Sequence, residues 1–178
     1  MYFFAKMKGG AQSPPRVSNS EILWSWIGSF CGISSVAWLH YHFLGPMDLV
    51  MVIGSFGASA VLIYGAIRSP LAQPRNLLGG HILSALIGVT AYQYLNQYLW
   101  LAAALSVSTA IAVMHLTGTL HPPGGATALI AVIGGPDIHA LGYWYVLVPT
   151  GLGALLMLGV ALIVNNIPKN RKYPECWR

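Results

Sequence analysis

Acidic side chains are nearly missing from this chain. There are four in 178 residues, Glu21, Asp48, Asp137 and Glu175. All stand near the ends of apolar runs, so no carboxylate pair is placed for hydrolysis or proton abstraction, and catalysis is not expected. The same shortage removes the acidic rings of a cation channel and the carboxylates of a sodium-coupled site. Cysteine is as scarce, with Cys31 in an apolar stretch and Cys176 in a basic tail. That spacing suits neither a disulfide framework nor a metal site. No two histidines have the i, i+4 spacing of a helical metal site, so no metal or cofactor is expected. The N-terminus has no signal-peptide core with a small-residue cleavage site and no Ser/Arg-rich transit segment. Insertion through the first apolar helix is the expectation.

Charged residues make up only 7% of the chain and hydrophobic residues 56%. A soluble domain carries about 25% charged residues. So large an apolar share cannot be covered by its own polar surface, and lipid is the cover that fits. Six Trp and nine Tyr suit membrane interfaces, and 20 Gly suit close helix packing. The formal net charge is +5. The nine cations sit in the two tails and one internal loop, with no aromatic-interleaved patch, which points to topology-setting charge and away from nucleic acid.

A membrane-crossing helix needs about 20 mostly apolar residues. Six segments compete: about Ile22–Leu39, Leu49–Ile67, Leu77–Leu95, Tyr98–Leu116, Gly124–Ile133 and Tyr143–Ile167. The fifth is too short to span alone. The second is long enough but interrupted by Gly54, Ser55, Gly57 and Ser59. If all six cross and the N-terminus is cytoplasmic, every Lys and Arg falls on the cytoplasmic side, as the positive-inside rule asks. Re-entry of segments two and five would move Arg68 and Arg75 outside. Six crossings are therefore expected, with a cytoplasmic tail over 1–20, one transmembrane domain over 21–167 and a basic cytoplasmic tail over 168–178.

The chain also lies over itself. "GASAVLIYGAI" (57–67) matches "GATALIAVIGG" (125–135), and "VAWLHYH" (36–42) corresponds loosely to "VMHLTGT" (113–119). The unit is helix, broken helix, helix, used over about 22–95 and again over about 98–167. Three crossings per unit invert the second copy. The fold expected is all-α, a polytopic membrane protein of two inverted repeats, a design that transporters use to place substrate near the bilayer midplane.

Three stretches carry the candidate chemistry. His121-Pro122-Pro123-Gly124-Gly125 ends one helix and begins another, since proline removes an N–H and suits a first helical turn. Glycine there lets a group approach the backbone. Free amides at a helix start form an anion site, with Thr127 adding a hydroxyl; a packing kink is the alternative. Gly54-Ser55-Phe56-Gly57-Ala58-Ser59 is the matching break, with Ser55 and Ser59 four apart on one face; there the alternative is close helix packing. Gly54, Ser55, Gly57, Ser59, Gly124, Gly125 and Thr127 are the candidate anion-binding residues, supported by His121, Pro122 and Pro123. Arg75 and Asn76 open segment three, where Arg75 either attracts an anion to the inner mouth or serves as an interfacial positive charge. His81 and His115 fall in or at the ends of apolar helices, as functional groups or as hydrogen-bonded packing residues.

"GSFGASAVL", "SPLAQPRNLLGGH" and "LTGTLHPPGGATAL" together resemble the HPP family of integral membrane proteins, named for its His-Pro-Pro motif, over about residues 20 to 167. The resemblance implies that His121 to Gly125 matter. It implies four transmembrane helices, against the six that charge suggests. It also implies nitrite as substrate, because cyanobacterial and plastid members are associated with nitrite transport. A bacterial, cyanobacterial-type inner membrane is then the expected location, with a plastid envelope as the alternative. Transport of a small monovalent anion is the expected function, with membrane lipid around the chain and a homo-oligomer as one form. The alternative is a non-transporting membrane scaffold or anchor subunit.

Overall fold

The computed structural model describes residues 2–8, 11, 13–45 and 50–177; Asp48, Leu49 and Arg178 lie outside the described residues. Helix α1 (Asn19–Leu39) begins where the Ser18 hydroxyl accepts the Glu21 N–H at 3.2 Å. A hydroxyl cap followed by an acid in the first turn satisfies an orphan donor and suits the positive helix start. A wider π-helical turn, His40–Leu44, prolongs it. Helix α2 (Gly54–Ala60) continues through a π-helical turn, Val61–Gly65. Then come α3 (Pro74–Leu95), α4 (Leu99–Thr117), α5 (Pro122–Ile133), the short α6 (Pro136–Leu141), and α7 (Leu152–Val164). A π-helical stretch, Val146–Gly151, precedes α7.

Among the described residues, three helical stretches are long and apolar enough to cross a membrane: Asn19–Leu44, Leu99–Thr117 and Val146–Val164. Helix α3 is as long, at 22 residues, but carries Arg75, Asn76, His81, Ser84 and Thr90. The all-helical expectation holds, with two corrections. Segment two, expected to be long enough to cross but interrupted over Gly54–Ser59, is instead helical through those residues, over Gly54–Gly65, and broken ahead of them. Residues 51–53 have no helical structure, and Ile53 is extended at φ −119°, ψ 145°. Met51 and Ile53 are buried all the same; apolar composition reports burial, not helicity, so hydropathy runs straight through this break. The sixth segment is kinked at Val148 (φ −133°, ψ 119°), just before Pro149, because proline cannot continue the ladder behind it.

The helices α2 with its extension and α5 are thus a matched pair of half-helices. The second is 12 residues long, and the first is seven residues plus five. Each spans about 18 Å at 1.5 Å per residue, well short of the roughly 30 Å hydrocarbon core.

Small residues seat α5 against α3. Any Cβ on Gly124 would fall 2.7 Å from the Gly80 carbonyl oxygen and 2.8 Å from Ser84 Oγ. One on Gly88 would fall 2.5 Å from the Ala128 carbonyl oxygen. So α5 runs beside α3 from Gly80 toward Gly88, backbone nearly on backbone, as small residues permit in membrane helices. On the other side, Gly28 and Gly32 of α1 receive the Tyr64 ring, and Gly153 of α7 receives the Phe56 ring. The apolar core (Val36, Phe56, Ile63, Tyr64, Leu77 and Met157) fills the space between α1, α2, α3 and α7. Trp26, Phe30, Trp38, Tyr94, Trp100 and Trp144 are exposed on the outside.

The basic C-terminal tail is folded back onto the body. Arg171 is buried, with Nη1 donating to Asn165 Oδ1 at 3.0 Å and Nη2 to the Tyr64 carbonyl at 3.0 Å. Tyr173 donates its hydroxyl to the Ala72 carbonyl at 2.7 Å, and Glu175 N–H reaches Gln73 Oε1 at 2.8 Å. Burial pushes the Tyr173 phenol well above its ordinary range. A cavity of about 530 Å³ opens beside this tail, bounded by Glu21, Ala66, Arg68, Ser69 and Asn170.

Candidate functional site

The two half-helices meet around four buried polar side chains. Ser59 stands in α2, His81 in α3, His121 at the start of α5 and Thr127 six residues further on; all are fully buried. Ser59 Oγ lies 2.7 Å from His81 Nε2 and 2.9 Å from His121 Nε2. His81 Nδ1 lies 2.7 Å from Thr127 Oγ1, and His121 Nδ1 lies 2.8 Å from the Leu71 carbonyl oxygen. The two rings are 5.0 Å apart, centre to centre. Laying 57–67 over 125–135 pairs Ser59 with Thr127, so His81 joins the hydroxyls that occupy the same step of the two half-helices. Phe56 meets the His81 ring edge-on at 5.5 Å. Tyr145 donates its hydroxyl to the Thr127 carbonyl at 3.1 Å. Among the described residues no group of three histidines, cysteines or carboxylates forms.

The helix starts themselves differ from what the sequence suggests. Helix α5 begins at Pro122, with His121 extended before it (φ −138°, ψ 104°). Pro122 and Pro123 have no N–H to offer, and the Gly124 N–H is taken by the His121 carbonyl at 2.8 Å. The amides at Pro122 and Pro123 are therefore absent, and the Gly124 amide, expected to be bare, is already bonded. Gly124 is occupied by packing against α3, and Gly125 is half-buried with Val107 Cγ1 3.8 Å from where a Cβ would stand. At the other start, Phe56 N–H bonds the Ile53 carbonyl at 3.0 Å. Gly54 and Ser55, the first two helical residues, have no bonding partner for their N–H groups among the described residues. The Ser55 hydroxyl is fully buried and also unpartnered there. Gly57 faces outward with open space beyond it.

The mouth residues stay out of this centre. Arg75 is exposed and donates to the Thr117 carbonyl beside Gly118, whose φ of +64° ends α4; its cation sits where a helix C-terminus favours one. Asn76 donates to the Leu120 carbonyl at 2.8 Å and holds the loop that leads down to His121. His115 is exposed on the outer side of α4.

Two further groups went unread in the sequence. Arg171 donates to the Tyr64 carbonyl at the end of the first half-helix, and His139 Nε2 donates to the Val132 carbonyl at the end of the second, at 3.0 Å. The same overlay pairs Tyr64 with Val132. Each half-helix thus ends on a basic side chain that binds its last carbonyls, the placement the helix dipole favours. His139 is held by stacking on Tyr92 at 3.7 Å.

Comparison with known proteins agrees with this membrane architecture. The family model described as HPP, transmembrane region, matches residues 14–174. Two proteins of Dictyostelium discoideum, each described only as a transmembrane protein, are similar along nearly the whole chain. One is 51% identical over 98% of this chain and 57% of its own length; the other is 46% identical over 98% and 63%. The chain therefore spans about three fifths of the curated relatives it matches. No solved structure matches it. With the family model covering 14–174, His121-Pro122-Pro123 at the start of a buried half-helix and close relatives that are themselves transmembrane proteins, the chain belongs to the HPP family of transmembrane proteins.

Proposed function

We propose that the chain carries a small monovalent anion across the membrane, and that nitrite, which the family resemblance implies, is the anion. The observation that carries this reading is the start of the first half-helix. There, among the described residues, two amides and the buried Ser55 hydroxyl are open, beside a centre of hydroxyls and imidazoles with no carboxylate bonded into it. A helix start with free donors favours negative charge, and an unmet buried hydroxyl is a donor awaiting an acceptor. Gly54 and Ser55 are the assigned anion ligands. Ser59 and Thr127 line the centre, His81 and His121 hold it together, and Pro122 and Pro123 fix the second start. No catalytic residue and no cofactor is assigned.

The reading takes the six segments as six traverses in two inverted copies, both termini cytoplasmic. Support comes from the paired positions: Ser59 with Thr127 at the centre, Tyr64 with Val132 at the far ends. It also comes from contacts at the two ends of α3. Arg75 meets Thr117 at one, while Thr90 meets Tyr143 and Tyr92 meets His139 at the other. Flux of nitrite, nitrate, chloride and formate into proteoliposomes tests the function. A rate no greater than that of empty liposomes for all four removes it.

One other reading has an observation behind it, that of a membrane anchor. Gly57, Ala58, Val61 and Gly65 form an outward, exposed face of α2 and its extension. Such a face suits close contact with another helix, from a second copy or a different subunit. Full nitrite flux by Gly57→Leu would remove this face from the transport reading's concerns. A lost complex in the same variant would favour the anchor.

A further inference from the structure

The bonds in the buried centre run in one sense. A carbonyl oxygen only accepts, so the Leu71 carbonyl requires the proton of His121 to sit on Nδ1. With the ring neutral, His121 Nε2 must accept, and Ser59 must donate to it. The Ser59 oxygen then accepts from His81, whose proton is on Nε2. His81 Nδ1 is left to accept, and Thr127 donates to it at 2.7 Å, nearer than its other contact, the Pro123 carbonyl at 3.2 Å. All four ring nitrogens are engaged, and every link points from Thr127 to Leu71. Simple interhelical attachment needs one bond per side chain and no common direction. Among the described residues, no carboxylate, lysine or arginine bonds either ring.

We propose that this chain is a proton path, and that a proton moves with the anion. The inference rests on the transport reading above. A proton from water or from the acid form of the substrate arrives on the Thr127 hydroxyl oxygen, which passes its own proton to His81 Nδ1. His81 releases its Nε2 proton to Ser59 Oγ, and Ser59 releases its proton to His121 Nε2. His121 gives up its Nδ1 proton at the Leu71 end to water. One proton enters and one leaves, no electrons move, and no bond between heavy atoms changes. Rotation of the two hydroxyls, with each ring giving the proton it received to water and taking one from water on its other nitrogen, restores the starting direction. Leu71 lies in the connection between α2 and α3, three residues from Arg68 and four from Arg75, so the release end lies toward the basic face of the chain.

Two measurements test this. Nitrogen NMR of ¹⁵N-histidine protein in lipid bilayers reads the tautomers without any transport. His121 is expected to carry Nδ1–H and His81 Nε2–H, with the pairing lost in Ser59→Ala; one shared tautomer on both rings overturns the path. Proteoliposomes at zero membrane potential and alkaline pH, with empty liposomes subtracted, read the coupling. A tenfold proton gradient is expected to drive about tenfold nitrite accumulation at one proton per anion. Ser59→Ala, which breaks the middle link of the path, should lose that accumulation; unchanged accumulation in this variant overturns the path. Nitrite flux in the unaltered protein with no proton movement overturns the proton path and leaves the anion reading standing. Absence of any nitrite flux overturns both.

Discussion

Arg171 and Glu21, 150 positions apart in sequence, form an ion pair in which Nη2 lies 2.9 Å from Oε2. The guanidinium is 1% exposed and the carboxylate 28%. The pair ties the chain's C-terminal segment to the start of α1, and the same guanidinium reaches the Tyr64 carbonyl and the Ser25 hydroxyl at 2.9 Å. Removing one partner of a buried, multiply bonded pair costs about 3–5 kcal/mol. Here Glu21 keeps some access to solvent, which lowers the figure. Arg171→Gln is expected to destabilise by about 2–3 kcal/mol, seen as a lower Tm in detergent micelles. An unchanged Tm would mean the tail docks without stabilising the body.

Ser55→Ala and Ser59→Ala should move stability in opposite directions. Ser59 bonds two imidazoles, so its loss strands buried nitrogens at about 1–3 kcal/mol. Ser55 bonds nothing among the described residues, so its loss removes an unmet buried hydroxyl and leaves Tm unchanged or raised. Nitrite flux by Ser55→Ala is expected to fall at least about tenfold, a loss of roughly 1.4 kcal/mol of binding. Full flux with the Tm unchanged would free Ser55 from the role assigned to it.

Glycines 124 and 57 should separate packing from free surface. A methyl at Gly124 meets the Gly80 backbone, so Gly124→Ala is expected to cost roughly 1–3 kcal/mol and push α5 off α3. A methyl at Gly57 meets nothing within 4 Å, so Gly57→Ala should be neutral or stabilising by at most about 1 kcal/mol. Thermal unfolding of the two proteins side by side is the check. Equal Tm values would place Gly124 outside any tight seam.

Tyr173 gives a pH dependence in alkali. Its phenol is raised by burial, so the folded chain holds that proton to higher pH than the unfolded chain does. Stability from this group is complete below the ordinary phenol value of about 10 and is lost as pH rises beyond it. Tyr173→Phe, which gives up the bond to Ala72, is expected to lose about 1 kcal/mol at neutral pH. It should then decline less steeply than the unaltered protein above about pH 10. Parallel declines would remove Tyr173 as the cause.

The helices were legible where composition and punctuation agree. Ser18 with Glu21 marks the start of α1, Pro74 the start of α3, Gly118 the end of α4, and Pro122 the start of α5. That the break in segment two lies ahead of Gly54 was not legible, because residues 50–53 are as apolar as a helix while carrying no helical structure. The sequence repeat already paired Ser59 with Thr127. It gave no reason to place His81 between them, because that contact joins residues 22 and 46 positions apart. The amides at Gly124 were misjudged for a local reason. Proline was read as a signpost for a helix start, and its missing donors were not counted at that start.

Those missing donors make the two half-helices unlike at their starts. A helix that opens with Pro122 and Pro123 has no N–H at its first two positions, and its Gly124 N–H is met by the His121 carbonyl. The opposite half-helix, opening with Gly54 and Ser55, has donors to satisfy wherever it rests. The start at Gly54 and Ser55 keeps its first two donors, where the start at Pro122 and Pro123 has none to keep.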